Sequence, residues 1–180
     1  MPAQTIVLVD EAYHHYVETK DYESVIPLVA QYPNLIVART FSKIYSMAGL
    51  RCGYCVARPE LVAAMRAQQS WDSLNIMALV AALASVQDPE QVEQGHRRNT
   101  EVKNYVYSEL DKSGYKFIAS HANFMMIDLR REVKPVILAM RDRNVQVGRV
   151  FPAMPNFMRV TIGTQPQMEA FVSAFRAVMS

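Results

Sequence analysis

Asp10, Tyr13, Ser42, Lys43 and Arg51 are a carboxylate, a phenol, a hydroxyl, an amine and a guanidinium, all close to short apolar runs. They stand in Asp10-Glu11-Ala12-Tyr13, Thr40-Phe41-Ser42-Lys43 and Gly49-Leu50-Arg51. A buried carboxylate can keep a pyridine nitrogen protonated, which makes the ring an electron sink for a developing carbanion. An amine can form a Schiff base with an aldehyde when burial or nearby positive charge lowers its pKa. A phenol can donate a hydrogen bond to a ring oxygen, and a guanidinium with a hydroxyl can grip a phosphate. Together the groups suit an aldehyde cofactor that carries a phosphate and a pyridine ring. A lone lysine would say little, because most lysines are solvated surface charges.

These residues need strands to hold them. Ile6-Val7-Leu8-Val9, Leu35-Ile36-Val37-Ala38 and Tyr54-Cys55-Val56-Ala57 are continuous apolar runs, which predict strands covered on both faces, as in a parallel sheet. Helical potential over Tyr22 to Gln31 and Pro59 to about Ser70 alternates with them, the pattern of an α/β layer. In open α/β sheets ligands sit outside the carboxyl ends of strands, where Asp10 and Lys43 fall. Ser73 to Val86 is Ala-rich and predicts a buried helix, and Pro89 to Lys112 a long one opened by Asp88 and ended at Gly114. Strands are expected over Lys116 to Ser120, Phe124 to Leu129, Gln146-Val147 and Met158 to Ile162, with helices over Lys134 to Asn144 and Gln165 to Val178. The fold class is therefore α/β, a mainly parallel sheet with helices followed by a smaller α+β domain from about Asp88.

A net charge of +2 on 180 residues points to no nucleic-acid or membrane partner, and the basic clusters His96-Arg97-Arg98 and Arg130-Arg131 are short. No apolar run reaches bilayer length, and the first residues lack the charged and apolar regions of a signal peptide. Cys52 and Cys55 form a C-x-x-C within a run read as a buried strand. Residues three apart on a strand face opposite ways, so redox or zinc pairing is disfavoured. Free thiols suit a reducing cytoplasm. Adjacent His14 and His15 diverge, which favours a polar surface turn over a metal site. The eleven methionines are read as fillers of core gaps.

The segments Asp10-Glu11-Ala12-Tyr13, Thr40-Phe41-Ser42-Lys43 and Ala48-Gly49-Leu50-Arg51-Cys52-Gly53-Tyr54 resemble the cofactor segments of fold type I pyridoxal-phosphate-dependent aminotransferases, in particular the histidinol-phosphate branch. The resemblance extends to Asn123-Phe124 and to Met158 through Thr164. It implies pyridoxal 5'-phosphate as cofactor and amino-group transfer between an amino acid or histidinol phosphate and a 2-oxo acid. Lys43 would be the Schiff-base lysine, Asp10 the partner of the pyridine nitrogen and Tyr13 that of the ring oxygen. Ser42 and Arg51 would hold the phosphate, and Arg159 would clamp the substrate carboxylate, a bidentate task suited to arginine. Asn123 would orient that arginine or the substrate, and Arg149 would contact the distal end of the substrate. Ser46 stands where the family often has glycine.

Each assignment has a structural competitor: a cap for Asp10, a core aromatic for Tyr13, a surface lysine for Lys43, an ordinary ion pair for Arg159. Taken singly, the structural reading is preferred for Tyr13, Asn123 and Arg149, because structural roles outnumber catalytic ones. The resemblance also implies that residues 1–87 are the C-terminal part of a large cofactor domain, that 88–180 are a small C-terminal domain, and that the N-terminal half of the family fold is absent. A sheet built from these strands alone leaves an edge and an apolar face open. The expectation is a cytoplasmic homodimer, or a chain that associates with the missing half, inactive as 180 isolated residues. A targeting segment would have belonged to the missing half. The alternatives are a folded association module without catalysis, and a decarboxylase or lyase using the same cofactor.

Overall fold

The computed structural model describes residues 5–180. The chain divides into two compact units, Met1–Gly95 and His96–Ser180.

The first unit is built on three strands, β1 (Val7–Asp10), β2 (Leu35–Thr40) and β3 (Gly53–Ala57), in the order β1-β2-β3. β1 and β2 run parallel, with Val7 opposite Leu35 and Asp10 opposite Ala38. β3 returns antiparallel to β2, with Thr40 opposite Gly53. The expected mainly parallel pairing is thus confined to β1 and β2. Residues 11–34 are long enough for a crossover, whereas the loop 41–52 contains only a single turn of 3₁₀ helix and turns the chain back beside β2.

Burial alternates along β1: Val7 and Val9 pack with Val29, Leu35 and Val37, while Leu8 is 64 % exposed. Coverage of both faces does not hold, nor is β3 a buried strand, since Gly53, Tyr54 and Cys55 are exposed. Among the described residues β1 and β3 are both edge strands of this sheet, and Leu8 and Tyr54 are exposed on them. The helix expected over Tyr22 to Gln31 shrinks to a 3₁₀ turn at Ile26–Ala30. Glu11 takes the Val25 N–H and the Ser24 hydroxyl, which holds the preceding residues out of helical geometry.

α1 (Pro59–Ala67) begins at its proline as expected. α2 (Ile76–Gln87) is capped by Asn75, whose Oδ1 accepts from the Met77 N–H at 2.8 Å. It is not the buried helix that its composition predicts. Only Ala78, Ala82 and Ser85 are buried, while Ile76, Met77, Val80, Leu83 and Val86 are more than half exposed. The small residues pack tightly on the 41–52 loop, and the large ones face the other way.

α3 (Pro89–Lys112) starts on Asp88, whose Oδ1 accepts from the Glu90 N–H at 3.1 Å, and ends at Gly114 with φ 71°. That left-handed angle is the usual glycine stop of a helix. The second unit holds an antiparallel sheet, β4 (Phe117–Ile118), β5 (Phe124–Asp128) and β6 (Phe157–Thr161), in the order β4-β5-β6. α4 (Val133–Arg141) and α5 (Gln165–Met179) pack with it, and Thr164 and Gln167 form a capping box on α5. Val106, Met125, Ile127, Val133, Met140, Met158, Phe171 and Phe175 make its core. No strand forms at Gln146-Val147. The backbone there meets β6 through one bond, Gly148 N–H to Arg159 O at 2.8 Å.

Candidate active site

Chemistry-bearing residues gather at the carboxyl ends of β1 and β2. Asp10 is the last residue of β1, and the Lys43 loop leaves the neighbouring end of β2. The Lys43 amine stands 5.1 Å from the centroid of the Tyr13 ring. Local bonds fold the loop: Ser42 N–H donates to Thr40 Oγ1 at 3.0 Å, Ser46 N–H to Lys43 O at 2.9 Å, and Met47 N–H to Phe41 O at 3.1 Å. Phe41, Met47 and Cys52 are buried against Ala78 and Ala82 of α2, which leaves Ser42 and Lys43 half-buried between anchored neighbours. Ser46 sits at φ 58°, the left-handed region that favours glycine.

Asp10 Oδ1 accepts from the Ala12 N–H at 2.9 Å, so a turn-forming role is present. Its Oδ2 has no partner among the described residues, and neither does the Ser42 hydroxyl. Arg51 closes the loop at φ 57°, exposed, with Nη1 donating to Ala48 O at 2.6 Å.

Sequence reasoning missed the network beneath this group. Glu11, 5 % exposed, accepts from Arg39 Nε at 3.0 Å and Nη2 at 2.8 Å, from Ser24 Oγ at 2.9 Å and from Val25 N–H at 2.8 Å. Burial alone would raise the Glu11 pKa, but the bonds from Arg39, Val25 and Ser24 outweigh it and hold the carboxyl below its ordinary value. The available signal was a charge, Arg39, directly after the apolar run Leu35 to Ala38.

His14 and His15 are packed rather than set in a polar turn. His14 Nδ1 lies 3.1 Å from the Tyr22 hydroxyl, and the His15 ring meets Tyr45 edge-on at 5.5 Å. Burial lowers both pKa values; the positive charge of Arg39 adds to the effect at His14, and His14 with Arg39 at His15. Burial pushes the Tyr16 phenol up to about 12. Cys52 is buried and Cys55 exposed, both free. Among the described residues no three His, Cys, Asp or Glu side chains are grouped to hold a metal ion, and no helix is long and apolar enough to cross a membrane.

In the second unit, Met126 pairs with Arg159 and Phe124 with Thr161, which sets these four on the sheet face opposite the buried Met125, Ile127, Met158 and Val160. The Arg159 guanidinium lies 4.1 Å over the Phe124 ring. Its Nε is buried without a hydrogen-bond partner, and no carboxylate pairs with it among the described residues. Asn123 O accepts from the Ile162 N–H at 2.8 Å, leaving its side chain unbonded among the described residues. Arg149 is exposed, its guanidinium 5.1 Å over Phe151. Gly148 presses on Arg159: a Cβ there would meet Arg159 Cβ at 2.8 Å and its carbonyl oxygen at 2.9 Å.

The family model for aminotransferase class I and II matches residues 2–175. The chain belongs to that family. It is 37 % identical to the histidinol-phosphate aminotransferase of Moorella thermoacetica, covering 100 % of this chain and 47 % of that protein. It is 40 % identical to the enzyme of the same name from Symbiobacterium thermophilum, covering 99 % and 49 %. A crystal structure from Erwinia carotovora atroseptica, 32 % identical, superposes with a TM-score of 0.93 over 98 % of this chain and 51 % of that one. The histidinol-phosphate aminotransferase of Sinorhizobium meliloti, solved in complex with pyridoxal-5'-phosphate, is 23 % identical with a TM-score of 0.88, over 99 % of this chain and 50 % of that one. The mixed α/β fold is therefore that of the aminotransferase structures. The chain spans about half the length of the curated relatives it matches.

Proposed function

We propose that this chain carries the lysine-bearing part of a pyridoxal-phosphate-dependent aminotransferase, which moves an amino group from an amino acid or histidinol phosphate to a 2-oxo acid. One observation carries the reading: the Lys43 amine stands over the Tyr13 ring where two adjacent parallel strands end, one of them in Asp10. The reading of the cofactor site is supported by the Lys43 amine beside Tyr13, the half-satisfied Asp10 carboxylate, the unbonded Ser42 hydroxyl and the exposed Arg51 guanidinium of the same loop. Pyridoxal phosphate, when bound, supplies an aldehyde that takes an amine and a ring that draws electron density from the substrate Cα.

The protein's own groups do the rest. Asp10 Oδ2 would hold the proton on the pyridine nitrogen, and Tyr13 would donate to the ring oxygen. Ser42 and Arg51 would bind the phosphate. The Lys43 amine would act as general base toward the substrate Cα proton. Arg159, with no carboxylate of its own, binds that of the substrate, and Phe124 holds the guanidinium flat. Asn123 orients the same carboxylate, and Arg149 meets the far end of the substrate.

Residues 1–87 would be part of the cofactor domain and 88–180 the small domain, in a cytoplasmic dimer. The open apolar face of α2 supports association with the remaining half of the family length, without which the 180 residues are inactive. The test is to mix pyridoxal phosphate with this chain alone and with the chain joined to a relative's N-terminal half. The joined form should develop a visible absorption band, lost in Lys43→Ala, and should convert histidinol phosphate with 2-oxoglutarate. A folded, joined form without the band, or a band that survives Lys43→Ala, ends the reading. Full folding and association without any turnover would favour a non-catalytic module.

A further inference from the structure

We propose that Asn99, Lys103 and Tyr107 of α3 act as positioning residues for the carboxylate clamp, gripping the loop ahead of β5 so that Phe124 holds the Arg159 guanidinium. The inference rests on the reading of Arg159 given above and assigns three residues outside it.

Residues four apart share one face of a helix, and on α3 that face turns three polar groups to one short segment. Asn99 Nδ2 donates to Ala122 O at 3.4 Å. Lys103 Nζ donates to Ser120 O at 2.9 Å. The Tyr107 hydroxyl accepts from Ser120 N–H at 2.8 Å, and its ring stacks on Phe117 of β4 at 4.2 Å. The segment also braces itself, Ala122 N–H donating to Ser120 Oγ at 3.1 Å. Just beyond it come Asn123, whose carbonyl takes the Ile162 N–H, and Phe124, on whose ring the guanidinium rests.

Packing alone does not account for Lys103. A lysine 2 % exposed must desolvate its ammonium, and such burial is rare without compensating partners. A long apolar side chain would fill the same space without that cost. The ammonium makes a directed bond to the Ser120 carbonyl, at the root of the segment that carries Phe124. Phe124 and Arg159 are diagonal neighbours across β5 and β6, so a shift of the segment moves the ring under the guanidinium. Arg159 Nε has no hydrogen-bond partner to hold it otherwise.

The test reads the Arg159 Nε–Hε NMR resonance in the whole 180-residue chain, assigned by its absence in Arg159→Lys. In the wild type the ring current of Phe124 should displace it upfield, and 2-oxoglutarate should shift it further. Lys103→Met should lose the upfield displacement while the amide signals of Met125, Ile127, Met158 and Val160 stay in place. Lys103→Arg should restore it. 2-Oxoglutarate should bind Lys103→Met about tenfold more weakly, the loss expected when a charge-assisted hydrogen bond is misaligned. If Lys103→Met does not fold, Asn99→Ala and Tyr107→Phe, which remove the bonds to Ala122 O and from Ser120 N–H, carry the test. An undisturbed resonance in these variants overturns the positioning, and so does failure of Lys103→Arg to restore it. A wild-type resonance that ignores 2-oxoglutarate even in the chain joined to a relative's N-terminal half overturns instead the carboxylate reading of Arg159, so the two failures are told apart.

Discussion

Removing the Glu11 carboxylate should destabilise the first unit by about 3–5 kcal/mol, the usual cost of stripping one partner from a buried ion pair. The upper part of that range is expected here. Glu11→Ala leaves the Arg39 guanidinium, whose side chain is 13 % exposed, without its counter-charge, and the Val25 N–H without an acceptor. A domain is stable by about 5–15 kcal/mol, so the loss consumes a large share of the whole. With a urea slope of about 1–3 kcal/mol per molar, the midpoint should fall by roughly 2 M. Far-UV circular dichroism gives that midpoint. Hydrogen exchange at Val9 and Val37 in the β1–β2 ladder assigns the loss to this unit, since the two units need not unfold together.

The double variant Glu11→Leu/Arg39→Met removes both charges and should recover most of the loss, because a buried pair can be replaced by apolar groups of similar size at little net cost. The pH dependence has a definite sign. The Glu11 carboxyl is held below its ordinary value of 4.5 in the folded chain, so its contribution is complete above about 4.5 and fades as pH falls through the lower, folded value. Wild type and Glu11→Ala should therefore differ by a constant amount near neutrality and converge in acid. A Glu11→Ala chain within about 0.5 kcal/mol of wild type at pH 7, or a gap that widens in acid, refutes the reasoning.

Ser46→Gly should stabilise the chain by about 0.5–1 kcal/mol, the left-handed strain relieved at φ 58° less the extra entropy of glycine, read as a higher urea midpoint. Gly148→Ala should cost about 1–3 kcal/mol, because the new methyl meets Arg159 backbone and Cβ, and it should displace the Arg159 Nε–Hε resonance. His14 and His15 are held neutral by burial, so their contribution is complete above about 6.5 and is lost as pH falls through their lowered folded values. Replacing both with glutamine should flatten the stability profile below pH 6.5, as followed by urea midpoints across that range. Leu83→Glu, at a side 61 % exposed, should leave the folding of the chain unchanged within about 0.5 kcal/mol yet weaken association with an added N-terminal half by sedimentation.

The sequence discloses what local chemistry dictates. Pro59, Asp88 and Gly114 start or stop their helices, because proline at a first turn, a carboxylate cap and a left-handed glycine act within a few residues. Ser46 was legible for the same local reason, since a site that often takes glycine needs φ above zero and Ser46 has it.

What escaped the sequence depends on partners far along the chain. A mostly apolar helix such as α2 reads as buried because composition says what a side chain avoids, not what lies beside it; its large residues are exposed among the described residues. The same holds for β3, read as a core strand but set at the edge of its sheet. Glu11 and Arg39 are adjacent only because parallel pairing brings Asp10 beside Ala38, and a one-residue slip of that register would turn Arg39 to the opposite face. The register that satisfies the buried pair is also the one that sets the end of β1, and so Asp10, beside the strand from which the Lys43 loop departs. Stability and site geometry thus depend on a single alignment of two strands, so substitutions that break the Glu11–Arg39 pair should loosen the Lys43 loop as well as the sheet.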